Sequence, residues 1–167
     1  MIENLQWDSS STPLENIRPQ QVLLGELSYV NIASRPDISF SVNKIARTTH
    51  KPTKETFRAL KRVLKHLVAT AEEGLCYKPF VEKEIVLQVF SDASFADIRE
   101  EKLKSTAGFL TYLNGALIDW RSAKIKWVCT STCTAELLGL YNAVTKTLHL
   151  AYMLKEIFDC IQSKNVE

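Results

Sequence analysis

Two carboxylates in this chain are of the type, and in the kind of place, that phosphodiester chemistry uses. Asp92 closes the apolar run Ile85-Val86-Leu87-Gln88-Val89-Phe90-Ser91, and Glu136 stands in Thr132-Cys133-Thr134-Ala135-Glu136-Leu137, where a strongly helical stretch begins. Hydrolysis by two divalent ions needs several carboxylates converging from different elements. Each Mg²⁺ takes one or two acidic ligands and keeps waters, and the ions sit about 4 Å apart. An acid at a strand end can present its oxygens rigidly to both ions, and an acid in the first turn of a helix on the same sheet can face the same point. Each also has a plainer explanation: Asp92 as a turn residue after a strand, Glu136 as a first-turn acid opposing the helix dipole.

The elements that must position these acids follow from periodicity and turn chemistry. Residues 85–90 read as a compact apolar strand ending at Ser91-Asp92, and 95–104 as a polar loop. Residues 107–113 and 116–122 flank Asn114-Gly115, the strongest hairpin signal in the chain. Residues 125–129 add a strand or extend the previous one. Residues 134–158 read as a long amphipathic helix burying Leu137, Leu138, Tyr141, Val144, Leu148, Leu150, Ala151 and Leu154.

Upstream the pattern is helical. Residues 20–34 carry apolar Val22, Leu23, Leu24, Leu27, Val30 and Ile32, and Arg35-Pro36-Asp37 breaks that helix. A second helix over 36–49 would bury Ile38, Phe40, Val42 and Ile45. Thr53 is a candidate N-cap for a third, with apolar Phe57, Leu60, Val63, Leu64, Leu67 and Val68. Residues 74–77 end this block and could begin an edge strand. The expected class is α+β: a helical module over 20–80, then a three-stranded antiparallel meander and a long helix over 85–167, with 1–19 as a mobile leader.

Composition narrows the function classes. At 167 residues, 46% hydrophobic and 24% charged, the chain is ordinary for a soluble globular protein. No apolar run approaches the roughly 18 residues that span a bilayer, and the N-terminus has no basic start or apolar core of a signal peptide. The expectation is a cytoplasmic or nuclear protein without a membrane partner. Cys129 and Cys133 form the only close cysteine pair, with no second pair or His-x3-His to complete a zinc site, so the cysteines read as isolated thiols. Net charge is only +2, yet residues 44–65 hold eight Lys or Arg against one acid, Glu55. Lys54, Arg58, Lys61, Arg62 and Lys65 line up as one helical stripe. Such a stripe is either a solvated face or a surface for a polyanion, and the scarcity of acids points to nucleic acid.

From about residue 20 to 158 the chain resembles copia-type LTR-retrotransposon Pol polyproteins, from the end of the reverse transcriptase into ribonuclease H. The resemblance rests on Leu24-Gly25-Glu26-Leu27-Ser28-Tyr29, on Ser34-Arg35-Pro36-Asp37-Ile38-Ser39-Phe40, and on Leu60-Lys61-Arg62-Val63-Leu64-Lys65-His66-Leu67. It continues through Phe90-Ser91-Asp92-Ala93, Lys104-Ser105-Thr106-Ala107-Gly108-Phe109, Trp120-Arg121-Ser122-Ala123-Lys124 and Thr134-Ala135-Glu136, in family order and spacing. It implies that the helical module is the connection that grips template–primer. It also implies that Asp92 and Glu136 are the first two ribonuclease H carboxylates, acting with Mg²⁺ or Mn²⁺ on RNA–DNA hybrids.

Departures from the family pattern bear on that implication. Ser94, Phe95 and Asp97 replace a second Asp, a Trp and a Gly, and Cys133-Thr134 stands where the family has Thr-Glu. The blocks with the third and fourth acids do not follow Glu136, and after it only Glu156, Asp159 and Glu167 are acidic. The resemblance therefore implies a truncated ribonuclease H-like domain. Three readings are open: a Pol fragment without a complete active site, a binding module for hybrid or duplex nucleic acid, and a nuclease completed by another chain. An incomplete sheet of this kind exposes an edge, which a homodimer or partner chain would cover.

Overall fold

The computed structural model describes residues 11–77, 85–98 and 104–164. Residues 1–10 of the expected leader, the charged turn at 82–84, residues 99–103 of the expected loop and Glu167 lie outside the described residues. The chain is α+β and divides into two compact units, Met1–Cys76 and Tyr77–Glu167.

The first unit is helical: α1 (Arg18–Ala33), a 3₁₀ turn (Pro36–Ile38), α2 (Ser39–Ala46) and α3 (Lys54–Ala69). Their apolar faces meet in a core of Leu24, Leu27, Ile38, Val42, Ile45, Ala59, Leu60 and Val63. α3 starts at a reciprocal cap, as Thr53 predicts. Thr53 Oγ1 accepts from the Thr56 N–H at 3.3 Å and Thr56 Oγ1 accepts from the Thr53 N–H at 2.9 Å, which satisfies two end-of-helix donors. Thr12–Leu14, within the stretch read as a leader, pair with this start: the Leu14 N–H donates to Pro52 O and the Lys54 N–H to Thr12 O, both at 3.0 Å.

The second helix is shorter than the expected 36–49. It is a 3₁₀ turn followed by α2, which stops at Ala46. The Thr48 and Thr49 hydroxyls donate back to Ile45 O at 2.8 Å and Ala46 O at 2.6 Å, offering those carbonyls a partner other than a continuing helix. Phe40, expected in the core, and Leu64 and Val68, at the spacing of a buried face, are exposed, as are Val22 and Ile32 of α1. The helices meet along narrower seams than their apolar content suggests.

A buried arginine holds the unit's far end. Arg35 donates through Nε and Nη2 to both carboxylate oxygens of Asp37, at 2.9 and 2.8 Å, and through Nη1 and Nη2 to Thr70 O and Oγ1, at 3.0 and 2.6 Å. His66 Nε2 lies 2.8 Å from Asp37 Oδ2. One guanidinium therefore ties the turn after α1 to the carbonyl end of α3, where helix carbonyls lack partners. The Arg35 hydrogen bond is the main cause holding the Asp37 carboxyl down at about 2; desolvation opposes it and the His66 contact assists.

In the second unit, β1 (Leu87–Ile98), β2 (Lys104–Leu113) and β3 (Ala116–Lys124) form an antiparallel sheet in the order β1-β2-β3. Asn114 and Gly115 join β2 to β3 with φ of 49° and 80°, the left-handed pair of a type I′ turn. Asn114 also ties the turn to the approach to β1: its N–H donates to Val86 O at 2.9 Å and its Oδ1 accepts from the Val86 N–H at 2.7 Å.

β1 differs from expectation. It does not end at Asp92 but continues to Ile98 through a bulge after Ser94. Ala96 takes φ 52°, its N–H donates to Ser105 Oγ at 3.0 Å, and Asp97 accepts from Thr106 Oγ1 at 2.7 Å. Local bonds to β2 side chains thus keep a polar sequence in the sheet. No strand forms at 74–77 or 125–129. Ile125 adds one bond, to Ser105 O at 2.8 Å, and the chain then leaves the sheet with Ile125 and Cys129 packed under the last helix.

That helix, α4 (Thr132–Lys164), is longer than the expected 134–158, and the Thr134 N–H donates to Ser131 Oγ at its start. It packs chiefly on β1 and secondarily on β2. The contacting stripe is Ala135, Gly139 and Ala143 with Leu138, which was expected there; of the other large residues expected, Leu137 and Tyr141 are 63% and 66% exposed. α4 is apolar on two sides, and the small-residue side allows the closer approach. A Cβ added at Gly139 would lie 3.3 Å from the Ala107 Cβ and 3.5 Å from the Ala93 Cβ.

Two outcomes follow. In Gly139→Val, overpacking against Ala93 and Ala107 lowers unfolding free energy by about 1–3 kcal/mol, whereas in Gly139→Ala a helix-propensity gain of about 1 kcal/mol offsets most of the crowding; urea melts of the two variants check this. Asp37→Asn leaves buried Arg35 without its ion pair and costs about 1–3 kcal/mol. Because the Asp37 carboxyl is held below its ordinary 3.8, its contribution is present above that pH and is lost as pH falls toward about 2. Acid titration of the fold should therefore be flatter through that window in Asp37→Asn.

Candidate functional site

The two acids are placed by different constraints. Asp92 lies within β1, opposite Gly108 of β2, in a register unbroken from Leu87 to Ser94. Its neighbour Ala93 meets α4 at Gly139. Strand alternation therefore turns the Asp92 side chain to the other face of the sheet, with Phe90, which makes an edge-on contact with Tyr112 (centroids 5.8 Å apart). Glu136 is exposed one helical turn before Gly139, on the helix that covers the first face. The fold brings both acids to the region where α4 crosses β1, Asp92 on the strand and Glu136 one helical turn before the Gly139 contact.

The donor set is a test of the metal chemistry read from the sequence. Glu156 and Asp159 lie on α4 about 30 Å or more beyond Glu136 at 1.5 Å per residue and come nowhere near it. Among the described residues, no three His, Cys, Asp or Glu gather where they could hold an ion. With no third acid gathered beside them among the described residues, these two exposed carboxylates fall short of the donor set that two Mg²⁺ or Mn²⁺ ions require. Cys129 is buried and Cys133 exposed, and both are free thiols.

The basic stripe is assembled as its spacing requires. Lys54, Arg58, Lys61, Arg62 and Lys65 are all exposed. At 100° per residue they fall within about 100° of arc, opposite the buried Thr56, Ala59, Leu60 and Val63. Lys61 Nζ rests 4.5 Å from the centre of the Phe57 ring, an aromatic shelf beside the stripe, and Lys44 Nζ lies 5.5 Å from that of Phe40. Sequence reasoning missed the Arg35–Asp37–His66 cluster, reading Arg35-Pro36-Asp37 only as a break. An Arg two residues before an Asp across a proline turn was the available signal. No described helix is long and apolar enough to cross a membrane.

Comparison with known proteins gives a consistent lineage. The chain is 32% identical over 148 residues to the retrovirus-related Pol polyprotein from transposon RE1 of Arabidopsis thaliana, covering 89% of this chain. It is 30% identical over 139 residues to the corresponding polyprotein from transposon TNT 1-94 of Nicotiana tabacum, covering 83%. In each case the chain spans 10% of the relative's length. It is also 31% identical over 132 residues to secreted RxLR effector protein 161 of Plasmopara viticola, covering 79% of this chain and 91% of that protein. No family model matches the chain, and no solved structure matches it.

Because both acids are solvent-exposed and outside the core, Asp92→Asn and Glu136→Gln should each change unfolding free energy by no more than about 0.5 kcal/mol. Thermal melts without divalent ions check this. A larger loss in either would show that the acid supports the fold.

Proposed function

The chain belongs to the copia-type retrotransposon Pol family, and from that premise we propose that it is a retroelement-derived Pol segment that holds nucleic acid through α3 without a complete hydrolytic centre of its own. The observation that carries this reading is the stripe of five exposed cations directly opposite the buried face of α3. Its ligand would be an RNA–DNA hybrid or another duplex, gripped by phosphate contacts and not read by sequence. Such work belongs in the cytoplasm or nucleus. Asp92 and Glu136 would be what this segment retains of the family's ribonuclease H acids, and Mg²⁺ or Mn²⁺ would become relevant only with further carboxylates.

A second reading is favoured by one comparison. The effector relative has nearly the span of this segment, so a similar sequence makes up most of one such polypeptide. On that reading the chain is a recruited interaction module.

Hybrid binding measured against salt separates the readings. Five phosphate contacts give a slope of log K against log salt of about −4 to −5, and Arg58→Ala with Arg62→Ala should remove about two units of it. Affinity without a salt slope, or no affinity, would favour the interaction module. Incubation of the labelled hybrid with Mg²⁺ and separately Mn²⁺ should leave it uncut. Cleavage that Asp92→Asn abolishes would overturn the claim of an incomplete centre.

A further inference from the structure

The cation stripe does not account for all of the open surface of α3. Beside it Leu64 and Val68 are 40% and 72% exposed, and Phe57 is half-buried. At 100° per residue these three fall within about 40° of arc, about 85° round the helix from the middle of the stripe. They flank the stripe on the side away from Glu55 and His66. Neither Leu64 nor Val68 belongs to the core of the first unit. The apolar row and the charged row are in register. Phe57, Leu64 and Val68 each follow a lysine (Lys54, Lys61 and Lys65) by three residues, so each lies about 4.5 Å further along the axis and to the same side of its lysine. Lys61 joins the two rows, with its Nζ 4.5 Å from the centre of the Phe57 ring.

We propose that this two-row face takes a single nucleic-acid strand lengthwise, with phosphates on the cations and base faces on Phe57, Leu64 and Val68. The proposal rests on the reading that α3 holds nucleic acid, and it adds an unpaired strand to the duplex named there. The pairing of the rows selects this occupant. An unpaired strand repeats an anion and an apolar disc about every 6 Å, with the bases on one side of the phosphates. From Lys54 to Lys65 the cations cover about 16 Å in three steps of about 5.5 Å, and the apolar row from Phe57 to Val68 has the same length. A duplex meets the charged row equally well, but it keeps its base faces in the stack and shows only base edges in the grooves, so the apolar row stays wet. A single strand uses both rows at once.

The test is binding of a short oligothymidylate, and of an RNA–DNA hybrid of equal length, to the full chain and to its Leu64→Gln, Val68→Gln variant. Both positions are exposed and glutamine is a good helix former, so the far-ultraviolet circular dichroism should be unchanged. The expected result is a strand bound at least as tightly as the hybrid. The double substitution should weaken the strand at least tenfold and the hybrid less than twofold. Five phosphate contacts give the strand a slope of log K against log salt of about −3 to −4, and the variant should keep it, because the contacts it loses are apolar. Hybrid binding without strand binding would overturn this proposal and leave the α3 reading standing, whereas binding of neither would overturn both. Equal losses on the two ligands would also sink it. So would no loss on either, which would leave the apolar row to a protein partner.

Discussion

The close approach of α4 to the sheet is the contact on which the second unit depends. Ala135, Gly139 and Ala143 recur every four residues, so one side of the helix is nearly flat. Ala93 and Ala107 meet it with equally small side chains. This sets the height of the helix above β1 and β2, and with it the place of Glu136, one turn earlier. It also decides which side of a doubly apolar helix is buried. A large-residue face would hold the helix farther from the sheet and leave gaps among the alanines, with loss of dispersion contacts that fall off within an ångström. The large residues face outward because the small ones fit.

The first unit solves a related problem with charge. Arg35 reaches the carbonyl end of α3 and the turn beyond α1 at once, and Asp37 makes its burial tolerable. Here the ionic groups have assigned partners and act on the fold. The cations of α3 lie on the opposite side of that helix from its buried residues, and of them Lys61 rests on the Phe57 ring.

What was legible in the sequence was local. Asn114-Gly115 specifies its turn through two left-handed residues, and Thr53 specifies the start of α3 through a bond three residues away; neither needs the rest of the chain. The continuation of β1 past Asp92 was not legible, because Ala96 and Asp97 are kept in the sheet by Ser105 and Thr106, partners whose register the sequence does not announce. The buried side of α4 was misread for a different reason. Hydrophobic pattern favours Leu137, Tyr141 and Leu148 over Ala135 and Gly139, and only the pairing with Ala93 and Ala107 reverses the order. Asp92 and Glu136 were found as residues, but the face to which Asp92 turns depends on the β1–β2 register, and the place of Glu136 on the seat of α4.

Positions fixed by packing carry less functional information than positions that packing opposes. Asp92 follows from the β1–β2 register and Glu136 from the seat of α4, so both would stay where they are whether or not any chemistry used them. The α3 stripe is different. Lys54–Arg58, Arg58–Lys61, Arg58–Arg62, Lys61–Lys65 and Arg62–Lys65 are like-charged neighbours three or four apart. Each such pair disfavours a helix by about 0.2–0.5 kcal/mol, about 1–2.5 kcal/mol together. Glu55 is the sole acid on α3, and the capping box and core contacts of that helix offset the repulsion without requiring it. A polyanion along the stripe would turn the same repulsion into attraction, which is why the cations of α3 say more about function than the two acids do.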